Sequence, residues 1–461
     1  MRARIWIALA ALLPVTVVVI AGSYFRADKA ARFMADFVAH NVCIRTFVSG
    51  LDADANFAAI ADISNVRPWR HVLSYRIDPT AKVVETSVMG LVHGQATFHP
   101  DFGCTLRLGS RPPYLLRSDF DALRTPPSPP LLPDIAPPTV VAPSDAALVA
   151  ALDHAFEEPA GEVSRRTKAV VVVHNGRVIA ERYAPGVGID TQLLGFSLSK
   201  SVVNALIGIL QRKDLIQPAM AAPIPQWQGA NDLRREITIE HLMRMTSGLA
   251  LDETYLGFDE ASRMYLDEDM TGYAAKAPLI APPGRRWHYS SGSFQLLAGI
   301  IRDVVGGPEQ TLAFAWRELF NPLGMRHVTL EFDATGTLQG ASNMLASARD
   351  WARFGMLYLN KGQIGGARLF NEDWVDFSAS ATLDTDYGAG FWTNRSAAKG
   401  AAKRLRDGIP PDAFFAAGFL DQRIAIIPSR NLVIVRLGDS TGPSGGGVER
   451  LIAEVLSATK E

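Results

Sequence analysis

The sequence predicts an α/β (α+β) fold: one antiparallel sheet flanked by helices with a helical insert, preceded by a small β-rich domain. Three observations carry this. First, the strand-like runs Lys168–His174 and Arg177–Tyr183 flank Asn175-Gly176, and Asn-Gly supplies the two positive-φ positions of a tight hairpin turn. Second, strand-like runs return near the end of the chain at Ala413–Ala416, Arg423–Ile427 and Leu432–Leu437, the last two joined by Pro428-Ser-Arg-Asn431. Third, the pattern between the two sets is mostly helical, so the ends pair into a sheet and the middle covers it. Composition agrees: 461 residues with 48% hydrophobic, 20% charged and a formal net charge of -1 describe an ordinary globular chain with a large core. The charges are mixed along the length, and without a basic stripe no nucleic-acid partner is expected.

Taken in order, Met1-Arg-Ala-Arg4 precedes an uncharged apolar run from Ile5 to Gly22, and Arg26, Lys29 and Arg32 follow it. Residues 1–26 are therefore expected to be a signal peptide or a membrane anchor. The run is long for a cleaved segment and Pro14 interrupts it, which favours the anchor. Either way the rest of the chain is expected on the periplasmic side of the inner membrane. In that oxidising compartment Cys43 and Cys104, the two cysteines of the chain, are expected to be bridged. The scattered histidines make no His-Glu-x-x-His motif, and no metal or other cofactor is implied.

Residues 27–120 read as the small β-rich domain, with Val72–Ile77, Val83–Val88 and Ala96–Phe98 as short strands between Asp-Pro, Gly and His-Gly turns. Nothing in it points to chemistry. Residues 121–144 include the proline-dense stretch Thr125–Pro138, which can be neither helix nor central strand and should run extended as a semi-rigid linker. The second domain is expected over 145–461.

Its central stretch is Gly195–Leu210, where Val203, Leu206, Ile207 and Leu210 recur at spacings of three and four and mark an amphipathic helix. Ser197 falls in its first turn. Lys200 projects from the same side three residues later, within reach of the Ser197 hydroxyl, which puts a nucleophile and a base on one rigid element. Other Ser-x-x-Lys runs, Ser396–Lys399 and Ser457–Lys460, lie in a polar stretch and at the chain end and have no site around them. Further on, Thr238 can cap a helix ended by Gly248, Phe294–Val305 reads as an apolar helix, and Ser347 with Asp350 forms a capping box for a helix closed by Gly362. A last helix starts near Val448.

Four motifs, standing in order, then become specific: Ser197-Leu-Ser-Lys200, His241–Leu249, Pro282–Gly292 and Ala348–Tyr358. Over roughly residues 145 to 458 the chain resembles the serine β-lactamase and penicillin-binding-protein superfamily. The branch it is most similar to is class C-like, with its esterases and 6-aminohexanoate-dimer hydrolases; Ser-x-x-Lys is a motif of such enzymes. The resemblance implies a β-lactamase-like fold and a serine hydrolase acting on a small-molecule amide or ester. It makes Tyr289 the second catalytic element, a proton relay that a nearby cation would help by lowering its pKa. Ser291 stands where the family pattern has Asn. The third element falls on Gly418-Phe419, with Ala416 where the family usually has lysine.

On this resemblance Lys200, desolvated by the helix stripe, takes the Ser197 proton directly or through Tyr289. The backbone N–H groups of Ser197 and Phe419 hold the oxyanion, Gly418 lets substrate approach the strand, and Tyr289 activates the deacylating water. An α/β-hydrolase needs Gly-x-Ser-x-Gly on a strand-to-helix turn, and here the run is Gly195-Phe-Ser-Leu-Ser199 with no second glycine and no strand expected before it. A non-catalytic envelope binding protein on the same scaffold, or a true β-lactamase, are the alternatives left.

Overall fold

A computed structural model of the chain describes residues 27–109, 114, 119–124, 129–161, 164–254, 258–441 and 447–459. The membrane-directed segment expected at 1–26 lies outside the described residues, as does Lys460. Among the described residues no helix is long and apolar enough to cross a membrane.

The main sheet is six-stranded and antiparallel: β10 (Trp392–Thr393), β11 (Phe414–Gly418), β12 (Gln422–Ile427), β13 (Leu432–Gly438), β5 (Thr167–His174) and β6 (Arg177–Tyr183), in that order. Both its faces are covered. Val170, Val172, Ala425 and Ile434 face α3 (Ala146–Phe156) and α7 (Val448–Ala458), while Val171, Val173, Ile424 and Val433 face the core that holds α4 (Leu198–Arg212) and α6 (Ala348–Leu359). That is why these strands read as unbroken apolar runs and not as alternating ones. A smaller three-stranded sheet pairs β7 (Leu193–Leu194), β9 (Met344–Ala346) and β8 (Val328–Leu330). Its first strand does lead into Ser197, contrary to expectation. The antiparallel order of the main sheet nonetheless excludes an α/β-hydrolase, whose sheet is mostly parallel.

Several local expectations meet the structure closely. Asn175 and Gly176 take φ of 51° and 80° at the hairpin. The Ser347 hydroxyl accepts from the Asp350 N–H, but the Asp350 carboxylate accepts from the His327 N–H, so only half of the capping box forms.

The N-terminal unit has more helix than its sequence suggested. Strands β1 (Leu73–Asp78), β2 (Val83–Val88), β3 (Val92–His99) and β4 (Gly103–Leu106) make an antiparallel sheet, and α1 (Ala27–Cys43) lies across it; α2 (Ala53–Ala61) follows. Ala35, Val38, Ala39 and Val42 bury one stripe of α1 against Val84, Val88 and Ala96. Gly94 permits the contact, because a Cβ there would lie 2.5 Å from the Ala35 carbonyl carbon. This core does not stop at the unit's edge: Leu194, Phe196, Leu345 and Leu420 belong to the same cluster. Polar clamps fasten the two parts. Glu331 pairs with His40 at 2.7 Å and accepts from the Cys104 N–H, and Asp439 holds both Arg45 at 2.6 Å and Lys168 at 2.7 Å.

The proline-rich stretch is no free linker either. Its described part is a strap bound along the second domain: Leu131 and Leu132 N–H groups donate to the Pro322 carbonyl, Leu132 and Ile135 are buried, and Arg349 donates to the Pro137 and Thr139 carbonyls.

Cys43 at the end of α1 and Cys104 on β4 are bridged across a sequence separation of 61. Closing a loop of that length removes unfolded-state entropy equivalent to roughly 4 kcal/mol. Cys104→Ser is therefore expected to lower the unfolding free energy by a few kcal/mol; two free thiols in protein purified without reductant would show the bridge to be absent in solution.

Candidate active site

Strand β7 ends at Leu194, the chain turns through Gly195 and Phe196, and α4 begins at Leu198 with Ser197 at its N-cap. Phe196 takes a left-handed φ of 48°, a conformation that costs a non-glycine residue energy and that the packing around it must hold. An N-cap serine normally spends its hydroxyl on a backbone N–H of its own helix. Ser197 makes no such bond, and its Oγ instead lies 2.9 Å from Lys200 Nζ. Ser197 is half-buried, whereas Lys200 is 1% exposed. The amine also contacts Ser291 Oγ at 3.1 Å and the Ala341 carbonyl at 2.8 Å, which matches all three donors of an ammonium. Burial pulls its pKa down to about 8, with Glu253 opposing.

The neighbouring Ser199 has a different task. Its Oγ donates to the Phe196 carbonyl at 2.8 Å and accepts from the Met344 N–H at 3.1 Å, pinning the turn to β9.

Tyr289 precedes α5 (Ser291–Val305), and its hydroxyl is directed toward Ser197. The ring stacks on Trp392 with centroids 6.0 Å apart, and Lys200 Nζ sits 5.0 Å above its face. One expectation is corrected here. Burial, and after it the Glu253 charge, push the phenol above its ordinary pKa, so the nearby cation does not make it a phenolate. The lysine amine lies over the ring face, and burial with the Glu253 charge outweighs it. Tyr289 is held as a neutral phenol.

Gly418 ends β11 and backs directly onto the loop before Ser197, since a Cβ there would lie 2.2 Å from the Gly195 carbonyl oxygen. The close approach that needs this glycine is thus the chain's own backbone, where substrate was expected. Phe419 meets Phe196 edge to face with centroids 5.5 Å apart. The strand end and the helix start that were expected to supply the two oxyanion donors are therefore adjacent. Ala416 is buried in the core, and Arg423 does not replace the missing lysine. The register pairs Arg423 with Ala417 and Arg436, and its guanidinium lies over Phe415 toward Glu449, with the groups that cover the opposite face.

Sequence reasoning missed several groups that the fold gathers here. Glu253 accepts from the Ser291 N–H at 3.0 Å and from its hydroxyl at 2.6 Å, thirty-eight residues away in sequence. Tyr265 faces Ser342 and Ser291. Leu420 and Asp421 both take left-handed φ, near 60°, and buried Gln422 and Arg436 hold that turn through the Phe419, Leu420 and Asp421 carbonyls. No local pattern marks any of these. The decoy Ser396 spends its hydroxyl on the Thr385 carbonyl.

A serine that forgoes its cap to face a desolvated lysine one helical turn on, at the edge of an antiparallel sheet, defines a serine hydrolase. The chain belongs to the Beta-lactamase family, whose model matches residues 152–457. It is 25% identical over 227 residues to 6-aminohexanoate-dimer hydrolase of Paenarthrobacter ureafaciens, a match covering 46% of this chain and 56% of that relative. The chain thus spans little more than half the length of that relative. A penicillin-binding protein homologue from Caulobacter crescentus shares the fold with a TM-score of 0.54 at 18% identity, over 69% of this chain and 99% of that one. EstCE1, a hydrolase with promiscuous acyltransferase activity, superposes with a TM-score of 0.55 at 17% identity, over 68% of this chain and 99% of its own.

Proposed function

We propose that this protein is an exported serine hydrolase that cleaves an ester or a linear amide through a Ser197 acyl-enzyme. The observation that carries the reading is the 2.9 Å contact between Ser197 Oγ and a lysine amine whose pKa burial has brought to about 8. Near neutrality part of the population then holds a neutral amine beside the nucleophile. That amine takes the Ser197 proton as Oγ attacks the carbonyl. The negative charge that develops on the carbonyl oxygen falls to the Ser197 and Phe419 N–H groups. Tyr289, kept as a neutral phenol, gives its proton to the leaving group and is reprotonated from the Lys200 ammonium. With the phenol pKa raised, Lys200 rather than Tyr289 is the base that activates water for deacylation. Export is supported by the apolar run at 5–22 and by the paired cysteines.

The substrate side follows from charge. A β-lactam carries a carboxylate beside its ring, and a cation at position 416 would recognise it. Here Ala416 stands there and Arg423 points elsewhere, so a charge-assisted bond of about 1.5–3 kcal/mol is missing. Purified enzyme should show higher kcat/KM on short p-nitrophenyl esters than on a chromogenic cephalosporin. The reverse order would make it a β-lactamase, and failure of a fluorophosphonate probe to label Ser197 would leave a binding protein.

A further inference from the structure

We infer that the N-terminal unit builds the acyl-binding pocket of this hydrolase, and that the pocket takes an uncharged, apolar acyl group of medium length. The inference rests on the reading of Ser197 as the acylated residue. It concerns a part of the chain that precedes the family match at residue 152.

Ser197 opens onto a cavity of about 430 Å³, with Phe196, Ser291 and Phe419 beside it. That is the size of a site that encloses a small ligand. The facing wall is supplied by the N-terminal unit: Phe33, Met34 and Phe37 from α1, and Ile63, Val66 and Trp69 from the segment after α2. Leu106 and Leu108, just past the bridged Cys104, continue the same apolar wall. The wall is fixed in place. The α1 stripe beneath it shares a core with Phe196, and His40 and Cys104 are both tied to buried Glu331.

The two sides of Ser197 differ in kind, and this assigns the substrate's direction. Tyr289 is not among the residues lining the cavity; it stacks on Trp392. With Tyr289 as proton donor the leaving group lies on its side, and the acyl group enters the cavity. The cavity's charge narrows the acyl class further. Among the described lining residues the charged ones are Asp36, Glu253, Asp259, Asp267 and Asp333, with His40 the one base and no lysine or arginine. Asp36 is buried and ion-paired with Arg32 at 2.5 Å, so the cavity's negative charge falls to the other four carboxylates. A carboxylate on the acyl chain therefore meets charges of its own sign. Methylenes, by contrast, meet aromatic and aliphatic side chains, each one fully buried favouring binding up to about fourfold.

The test compares kcat/KM for three p-nitrophenyl esters, the acetate, the octanoate and the mono-ester of suberic acid, which has the octanoate's length and a terminal carboxylate. The octanoate is expected to exceed both others by at least about tenfold. Val66→Trp and Met34→Trp, which fill the cavity, should each cut the octanoate-to-acetate ratio severalfold. Equal rates on octanoate and acetate, equal rates on octanoate and the suberate mono-ester, or a ratio unmoved in both variants would overturn the inference and leave the proposed function standing. The wild-type comparisons decide even where a variant does not fold. Absence of both ester turnover and Ser197 labelling would overturn the proposed function, and this inference with it.

Discussion

Ser197→Ala is expected to abolish turnover and covalent labelling by a fluorophosphonate while leaving the melting temperature close to that of the parent. The loss should reach about four decades or more in kcat, because the attacking atom itself is gone and the residual rate rests on binding and electrostatics alone. Little stability is at stake, since the Ser197 hydroxyl caps nothing and its one hydrogen bond among the described residues is to Lys200. Ser199→Ala should behave in the opposite way. Its hydroxyl bridges the Phe196 carbonyl and the Met344 N–H inside the core; the carbonyl keeps the Ser199 N–H at 3.0 Å, but removing the hydroxyl takes the partner from the Met344 N–H and costs about 1–3 kcal/mol. Labelling should persist in that variant, at a reduced rate if the turn at Phe196 loosens. Peptide mapping settles the pair: a modified Ser199, Ser396 or Ser457 would remove Ser197 from its role.

How much of this was legible in the sequence depends on the range of each interaction. Ser197 and Lys200 share one helical turn, so the apolar spacing of Val203, Leu206 and Ile207 was enough to set them on one face. Tyr289 and Phe419 became visible through the motif pattern, because nothing local distinguishes them from other aromatic residues. Glu253 was out of reach of either approach: it follows Leu251-Asp252 in a loop and meets Ser291 only through the fold. Helix α1 was legible and still missed, as Ala31, Ala35, Val38 and Val42 keep a helical spacing but follow the apolar leader and look like its flank. The consequence was functional. A unit that suggested no chemistry supplies one wall of the cavity at Ser197. The strap at 129–141 shows the complementary failure, since proline content predicts an extended path but says nothing of what the path packs against.

The pH dependence of Lys200 gives the second large effect. Its folded pKa of about 8 lies below its ordinary 10.5, chiefly because burial disfavours the charged form. For a general base this means that kcat/KM in the acylation step rises with pH and levels off above about 8. Lys200→Met should lower the rate by about two to four decades and erase that inflection. Tyr289→Phe should lower the rate and keep it. Glu253→Gln, which removes the charge that favours the ammonium, should move the inflection to lower pH. Stability carries the same signature with a definite sign. Between pH 8 and 10.5 the unfolded chain binds a proton that folded Lys200 has released, so the unfolding free energy gains with rising pH across that window. Below pH 8 both states are protonated and burying the charge is a constant penalty. The gain attributable to this one group is roughly 3 kcal/mol, measured as the difference between parent and Lys200→Met in denaturant unfolding at pH 7 and pH 10. A parental rate profile that is flat from pH 6 to 9, or an inflection that survives in Lys200→Met, would show that another group accepts the Ser197 proton.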